Sequence, residues 1–185
     1  MMKMEIGPYS RDRIVLCSAD ASPERSQRQE PGYAGHFFPG AKWVGRMRNA
    51  ASNLRCKFVI LTTAHGMVGE FDTISPYDLH IYADTAKVER NWRRTIPLLI
   101  GNGQYDLLLF YAGGCPKEAY LEALKPILHE NQISLLTFGR ANVCDMGRVE
   151  DIVELLTTGT DLDQLRSILK YPQYLEFHPA PRYSQ

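Results

Sequence analysis

Short, continuously apolar runs alternate along this chain with segments whose apolar residues recur every three or four positions. Arg13-Ile14-Val15-Leu16-Cys17, Phe58 to Thr63, Asp106 to Tyr111 and Ile133 to Phe138 are of the first kind and read as strands. They are apolar throughout rather than alternating, the mark of strands covered on both faces, as in parallel sheets. Between them, Trp43, Met47, Ala50, Ala51 and Leu54 form one helical stripe over Ala41 to Leu54. Val88, Trp92, Ile96 and Leu99 form a second, capped by Asp84, interrupted by Pro97 and closed by Gly101-Asn102-Gly103. Tyr120, Leu121, Leu124 and Leu128 form a third, with Pro116 suited to its first turn.

Strands and helices in this alternation predict a three-layer α/β/α fold with a mostly parallel central sheet of about four to five strands and right-handed crossovers. The α/β domain is expected over residues 1–143. Residues 144–185 are expected to pack on it as a helical hairpin and an extended tail. Val149, Ile152, Val153 and Leu156 mark the first helix of the hairpin. Thr157-Thr158-Gly159 is the turn, and Thr160-Asp161-Leu162-Asp163 is a capping box that opens the second. Ser22 to Gly40, with Pro23, Pro31, Gly32, Gly35 and Pro39, reads as a long irregular loop.

Bulk composition narrows the class. The 185 residues, 44% hydrophobic and 23% charged, suit one soluble domain with a full core. Lys+Arg and Asp+Glu both number 21, so no global field draws the chain to nucleic acid or membrane. The charge is nevertheless uneven, since Lys42, Arg46, Arg48, Arg55 and Lys57 lie between Gly40 and Ile60 without an acid among them. A basic helix face is the result, ordinarily a solvated one but able to meet a nucleic-acid backbone. Cys17, Cys56, Cys115 and Cys144 are too widely spaced for a zinc knuckle or a redox pair. No signal-peptide pattern opens the chain and no apolar run reaches the roughly eighteen residues of a membrane span, so a cytoplasmic protein with free thiols is expected.

Parallel strands bring their carboxyl ends to one edge, where open α/β sheets hold ligands. That edge would collect Cys17-Ser18, Thr63-Ala64-His65-Gly66, Gly113-Gly114-Cys115 and Gly139-Arg140-Ala141-Asn142. Ser75-Pro76-Tyr77-Asp78 can add a hydroxyl, a phenol and a carboxylate. Gly113-Gly114 precedes a helix and could hold an anion on free backbone N–H groups, or simply permit a tight turn. Neither a Walker loop nor a dinucleotide fingerprint is present, so no nucleotide cofactor is expected. His65 with Asp78 could work as a base and its orienting carboxylate. Cys17 or Cys115 beside His65 could supply a nucleophile, although free cysteines are more often inert and buried. The five histidines are too scattered to suggest a metal site.

Three short motifs, Leu16-Cys17-Ser18, Thr63-Ala64-His65-Gly66-Met67 and Pro76-Tyr77-Asp78, resemble the pattern of a large family of small microbial proteins of unknown function. That pattern is a strand ending in Cys-Ser, a strand ending in Ser-Ala-Lys/His-Tyr/His-Gly-Leu, and a Pro-Tyr-Asp. The family is similar to the YaaA-like proteins and, more distantly, to the uracil-DNA glycosylase-like fold. The resemblance implies a shared pocket formed by Cys17, Ser18, His65, Gly66, Pro76, Tyr77 and Asp78. It also implies handling of a nucleobase, nucleoside or nucleotide at the N-glycosidic bond. The chain departs from the family where a lysine commonly follows Cys-Ser, because Asp20-Ala21-Ser22 stands there instead. The expected enzyme would use His65 and Asp78 as catalysts, with Cys17, Ser18, Gly66, Pro76, Tyr77, Gly113, Gly114, Arg140 and Asn142 around the substrate. The alternative is a non-catalytic nucleic-acid-binding module using Lys42, Arg46, Arg48 and Arg55.

Overall fold

A computed structural model describes residues 2–21, 29–140 and 145–181. In chain order the main strands are β1 (Ile14–Ala19), β2 (Lys57–Thr62), β3 (Gly66–Gly69), β4 (Leu107–Tyr111), β5 (Ser134–Phe138) and β6 (Glu176–His178). The helices are α1 (Lys42–Leu54), α2 (Thr85–Ile100), α3 (Lys117–Glu130), α4 (Val149–Thr158) and α5 (Leu162–Ser167). The six strands form one sheet in the order β6-β5-β4-β1-β2-β3. β2, β1, β4 and β5 run parallel to their neighbours, and β3 and β6 close the two edges antiparallel.

Alternation along the strands divides the core in two. Ile14, Leu16, Ile60, Leu109, Leu136 and Phe138 face α1, α4 and α5. Val15, Cys17, Val59, Leu61, Phe110 and Leu135 face α2 and α3. Successive strand side chains point to opposite faces, so a run apolar at every position must be roofed on both sides. The result is the three-layer arrangement that the apolar runs predict.

The two edge strands exceed the expected strand count of four to five. β3 is a four-residue segment with glycine at each end, too short to display alternation. β6 lies in the tail expected to run as an extended strap, and its three residues pair with Leu135 to Thr137. Edge strands are half-covered, so their sequences lack the continuous apolar signal of the central four. Within the long loop, Gly32–Tyr33 pairs with Thr73–Ile74, and Phe37 and Phe38 are buried beside α1. Thr160–Asp161, between α4 and α5, pairs with Glu5–Ile6, and Asp161 caps α5 by accepting from Gln164 N. Asp84 caps α2 in the same way through Lys87 N, and that helix runs past Pro97 to Ile100.

Candidate functional site

The order β5-β4-β1-β2 places the reversal of strand order between β1 and β4. The first crossover, through α1, carries the chain to one side of β1, and the second, through α2, carries it to the other. A crevice opens at such a point beyond the carboxyl ends of the strands. Asp20, the residue after β1, stands in it.

Asp20 is 5% exposed, and its backbone N–H extends the ladder to the Leu61 carbonyl. Its Oδ1 accepts from the Tyr120 hydroxyl at 2.6 Å. Its Oδ2 accepts from the Tyr77 hydroxyl at 2.5 Å and from the Thr63 backbone N–H at 3.1 Å. The three donors come from α3, from the segment after the Thr73–Ile74 ribbon and from the end of β2. Burial raises the carboxyl pKa above its ordinary value, against the lowering effect of the Tyr120, Tyr77 and Thr63 hydrogen bonds. Burial, followed by the Asp20 charge, also raises the Tyr77 and Tyr120 phenols, which therefore remain donors.

A cavity of about 60 Å³ adjoins this carboxyl and is lined by Asp20, Thr63, His80, Gly114, Cys115 and Tyr120, among others. It has room for water-sized groups and not for a whole nucleoside. Leu79, His80 and Ile81 line it from the segment Ser75 to Ile81, which is pinned at three points. His65 Nε2 donates to the Ser75 carbonyl at 2.8 Å, Tyr77 holds Asp20, and Thr63 Oγ1 donates to the Leu79 carbonyl at 2.5 Å. At the rim, the His80 and Tyr82 rings stack with centroids 5.3 Å apart, and Tyr82 is 68% exposed. His65 and Tyr77 meet edge to face at 5.2 Å, and Phe38 meets Tyr77 in turn at 6.5 Å.

The β2–β3 turn that carries His65 is held by α2. Asn91 Nδ2 donates to the Thr63 and Ala64 carbonyls, Trp92 Nε1 to the Thr62 carbonyl, and Met67 N to Thr95 Oγ1. Gly66, at φ +76°, lets α2 approach, since a Cβ there would overlap Thr95 and the Asn91 carbonyl. On the other side of the crevice, Trp43 Nε1 donates to the Ala19 carbonyl at 3.0 Å. Gly114, at φ +83°, lies against the Trp43 ring so closely that a side chain would collide with it. Gly113 and Gly114 thus make room for the Tyr111 and Trp43 rings as well as for the turn into α3.

The sequence-derived residues therefore separate into groups. His65, Gly66 and Tyr77 gather near Asp20, at the edge where Gly113 and Gly114 also lie. Pro76 and Asp78 are exposed and do not line the cavity, and no hydrogen bond or ion pair joins Asp78 to His65 among the described residues. Cys17 and Ser18 lie inside β1, both fully buried, and Ser18 Oγ has no hydrogen-bond partner among the described residues. Arg140 lies over the Tyr174 ring and 3.5 Å from Glu118, on the β5 side. Asn142 lies outside the described residues. Cys115 reaches the cavity wall, but burial and then the Asp20 charge push its thiol well up, away from a thiolate. Cys17 is raised likewise, by burial first.

Asp20, Tyr120 and His80 are the residues that sequence reasoning missed. Asp20 stands directly after the most central strand, and the position was read only for the lysine it lacks. Tyr120 sits in a helical core stripe, which assigns its ring to the interior and says nothing of its polar tip. The basic helix face is partly engaged in structure. Arg46 makes a two-pronged contact with Glu150 at 2.8 Å, and Arg48 donates to the Gly35 carbonyl at 2.6 Å. Lys42 and Arg55 are exposed.

Comparison with family models, with curated proteins and with solved structures gives no match for this chain. Among the described residues, no group of three or more His, Cys, Asp or Glu could hold a metal ion, and no helix is long and apolar enough to cross a membrane.

Proposed function

We propose that this chain is an enzyme acting on a nucleobase, nucleoside or nucleotide at the N-glycosidic bond, with Asp20 as its acid–base group. The observation that carries the reading is the buried Asp20 carboxyl at the switch point, fixed by two phenols and open to a small cavity. Such chemistry needs a group that can hold or release a proton near neutral pH, and burial moves a carboxyl in that direction. The resemblance of the Cys-Ser, Ala-His-Gly and Pro-Tyr-Asp segments supplies the substrate class. Those segments lie together here, with His65 against Tyr77 and Tyr77 on Asp20.

The small cavity suits the attacking water or the reacting edge of the substrate, while the body of the ring system lies at the rim. There the stacked His80–Tyr82 pair presents an exposed aromatic face, and every nucleobase has a π-face to lay on it. In the hydrolytic step the bond from the sugar C1′ to the base nitrogen breaks. Water adds at C1′ and gives its proton to Asp20, and the base leaves with a proton from solvent or from the same carboxyl. His65 uses its Nε2–H on the Ser75 carbonyl and so holds the segment that carries Tyr77.

The test is base release from a panel of ribo- and deoxyribonucleosides and their monophosphates, followed by chromatography. Wild type should release base, and Asp20→Asn should lose about a hundredfold or more of that rate while keeping its fold. Release unchanged in Asp20→Asn, or no release by wild type across the panel, removes the assignment.

A further inference from the structure

A second concavity lies at the other end of α3 from the crevice. It is an open groove of about 490 Å³ between the last turns of α3 and the β5–β6 edge. Its floor is Leu128, Ile133 and Leu135, and Lys125, His129 and His178 also line it. No Asp or Glu is among the lining residues. Three nitrogen-bearing side chains from two elements thus surround an apolar floor without a matching carboxylate in the groove.

These polar side chains are not all engaged elsewhere. His178 Nε2 is 3.2 Å from Glu176, which also lies 3.7 Å from the Lys117 amine. Lys125 is half-buried, and neither its amine nor the His129 ring makes a hydrogen bond or ion pair among the described residues. The negative end of the α3 dipole could oppose an anion here, but its last carbonyls are already capped. Asn131 Nδ2 donates to the Ile127 carbonyl at 2.7 Å, Ile133 N to Leu128 at 3.0 Å and Gln132 N to His129 at 3.1 Å. Burial lowers the His178 pKa, Glu176 raises it in part, and Lys125 and Lys117 lower it. The groove also falls within the range of about 300–1,000 Å³ typical of small-ligand sites.

We propose that this groove binds an organic anion with an apolar body, a carboxylate whose chain or ring lies on Leu128, Ile133 and Leu135 while Lys125 holds its head beside His129. The site is separate from the Asp20 cavity and does not depend on the function proposed for it.

Calorimetric titration of the full chain with octanoate, 1-octanol and octylammonium, each below its aggregation threshold, tests the assignment. Octanoate should bind saturably at one site and more tightly than octanol, and octylammonium should not bind. Lys125→Glu, a change on a half-exposed helix position, should weaken octanoate about tenfold or more, the scale of one charged hydrogen bond. Lys125→Met should weaken octanoate while leaving octanol unchanged, which separates charge from loss of packing. Asp20→Asn should leave octanoate binding intact. Equal affinity for octanoate and octanol, no saturable binding of octanoate, or loss of binding in Asp20→Asn would overturn the proposal.

Discussion

The Tyr77 hydroxyl donates to Asp20 Oδ2 at 2.5 Å, tying the end of the first sheet strand to a segment 57 residues away. Tyr120 holds the other oxygen at 2.6 Å, so the carboxyl is clamped from both sides. Removing the acceptor is worse than removing one donor, because Asp20→Ala leaves two phenols and the Thr63 N–H unsatisfied in a buried place. Asp20→Ala should cost about 3 kcal/mol or more of unfolding free energy, and Tyr77→Phe about 1 kcal/mol. Urea unfolding of both variants measures this, and an Asp20→Ala protein as stable as wild type would show that the clamp does not matter to the fold.

The same carboxyl gives stability a pH dependence of definite sign. Its pKa is raised in the folded state, so folding retains a proton that the unfolded chain releases at about pH 4. Its contribution is full below that ordinary carboxylate range and is lost as pH rises through the raised folded value. The Tyr77, Tyr120 and Cys115 groups around it, all raised, keep their protons over this range. Subtracting the Asp20→Asn profile from the wild-type profile should therefore leave a difference that falls with rising pH. A difference that is flat or rises would place the Asp20 pKa at or below its ordinary value.

How much of this was legible in the sequence depends on burial. Leu16, Val59, Leu108 and Leu136 belong to runs apolar at every position, which declares two covered faces and hence the layered fold and the shared edge. β3 and β6 were not legible as strands, because an edge needs apolar residues on one face only and both segments are very short. His65 could be placed on that edge from the parallel order, and Tyr77 near it from the segment that follows and from the motif resemblance. Asp20 could not be recognised as the centre, because a lone carboxylate after a strand looks like any turn residue. Its meaning comes from Tyr120, 100 positions away, turning a hydroxyl inward from a core stripe.

Thiol chemistry separates the carboxylate reading from a cysteine nucleophile. Burial holds Cys17 and Cys115 well above the ordinary thiol range and lifts Cys56 to about 11. Native protein treated with iodoacetamide at neutral pH should be alkylated slowly at all three positions, and digestion followed by mass spectrometry reads each site. Rapid and selective labelling of Cys115 would overturn the assignment of Asp20 as the reactive group.

Arg46 and Glu150 join α1 to α4 through a two-pronged contact with each side chain about one-third exposed. Solvent screening limits such a pair to about 0.5–1 kcal/mol. A double-mutant cycle on Arg46→Ala and Glu150→Ala should return a coupling of that size. Single-stranded DNA binding at low salt should be unchanged by Arg46→Ala if the arginine serves the helix contact. A loss of DNA binding larger than the loss of stability would favour the basic-helix alternative instead.

Gly66 sits in a motif that invites a functional reading, and its geometry supplies a packing reason of its own. At φ +76° it adopts a conformation that L side chains rarely take, and a Cβ would drive into Thr95 and the Asn91 carbonyl. Gly66→Ala should therefore destabilise by about 2 kcal/mol or more, combining backbone strain with a forced shift of α2. The shift would also disturb the Asn91 bonds that seat Thr63 and Ala64, and with them the Thr63 N–H on Asp20. Hydrogen exchange at the Thr63 amide should accelerate in this variant more than at Val15, on the same sheet but away from the turn. Equal acceleration at both positions would mean that Gly66 acts only through global stability and not by holding the β2–β3 turn.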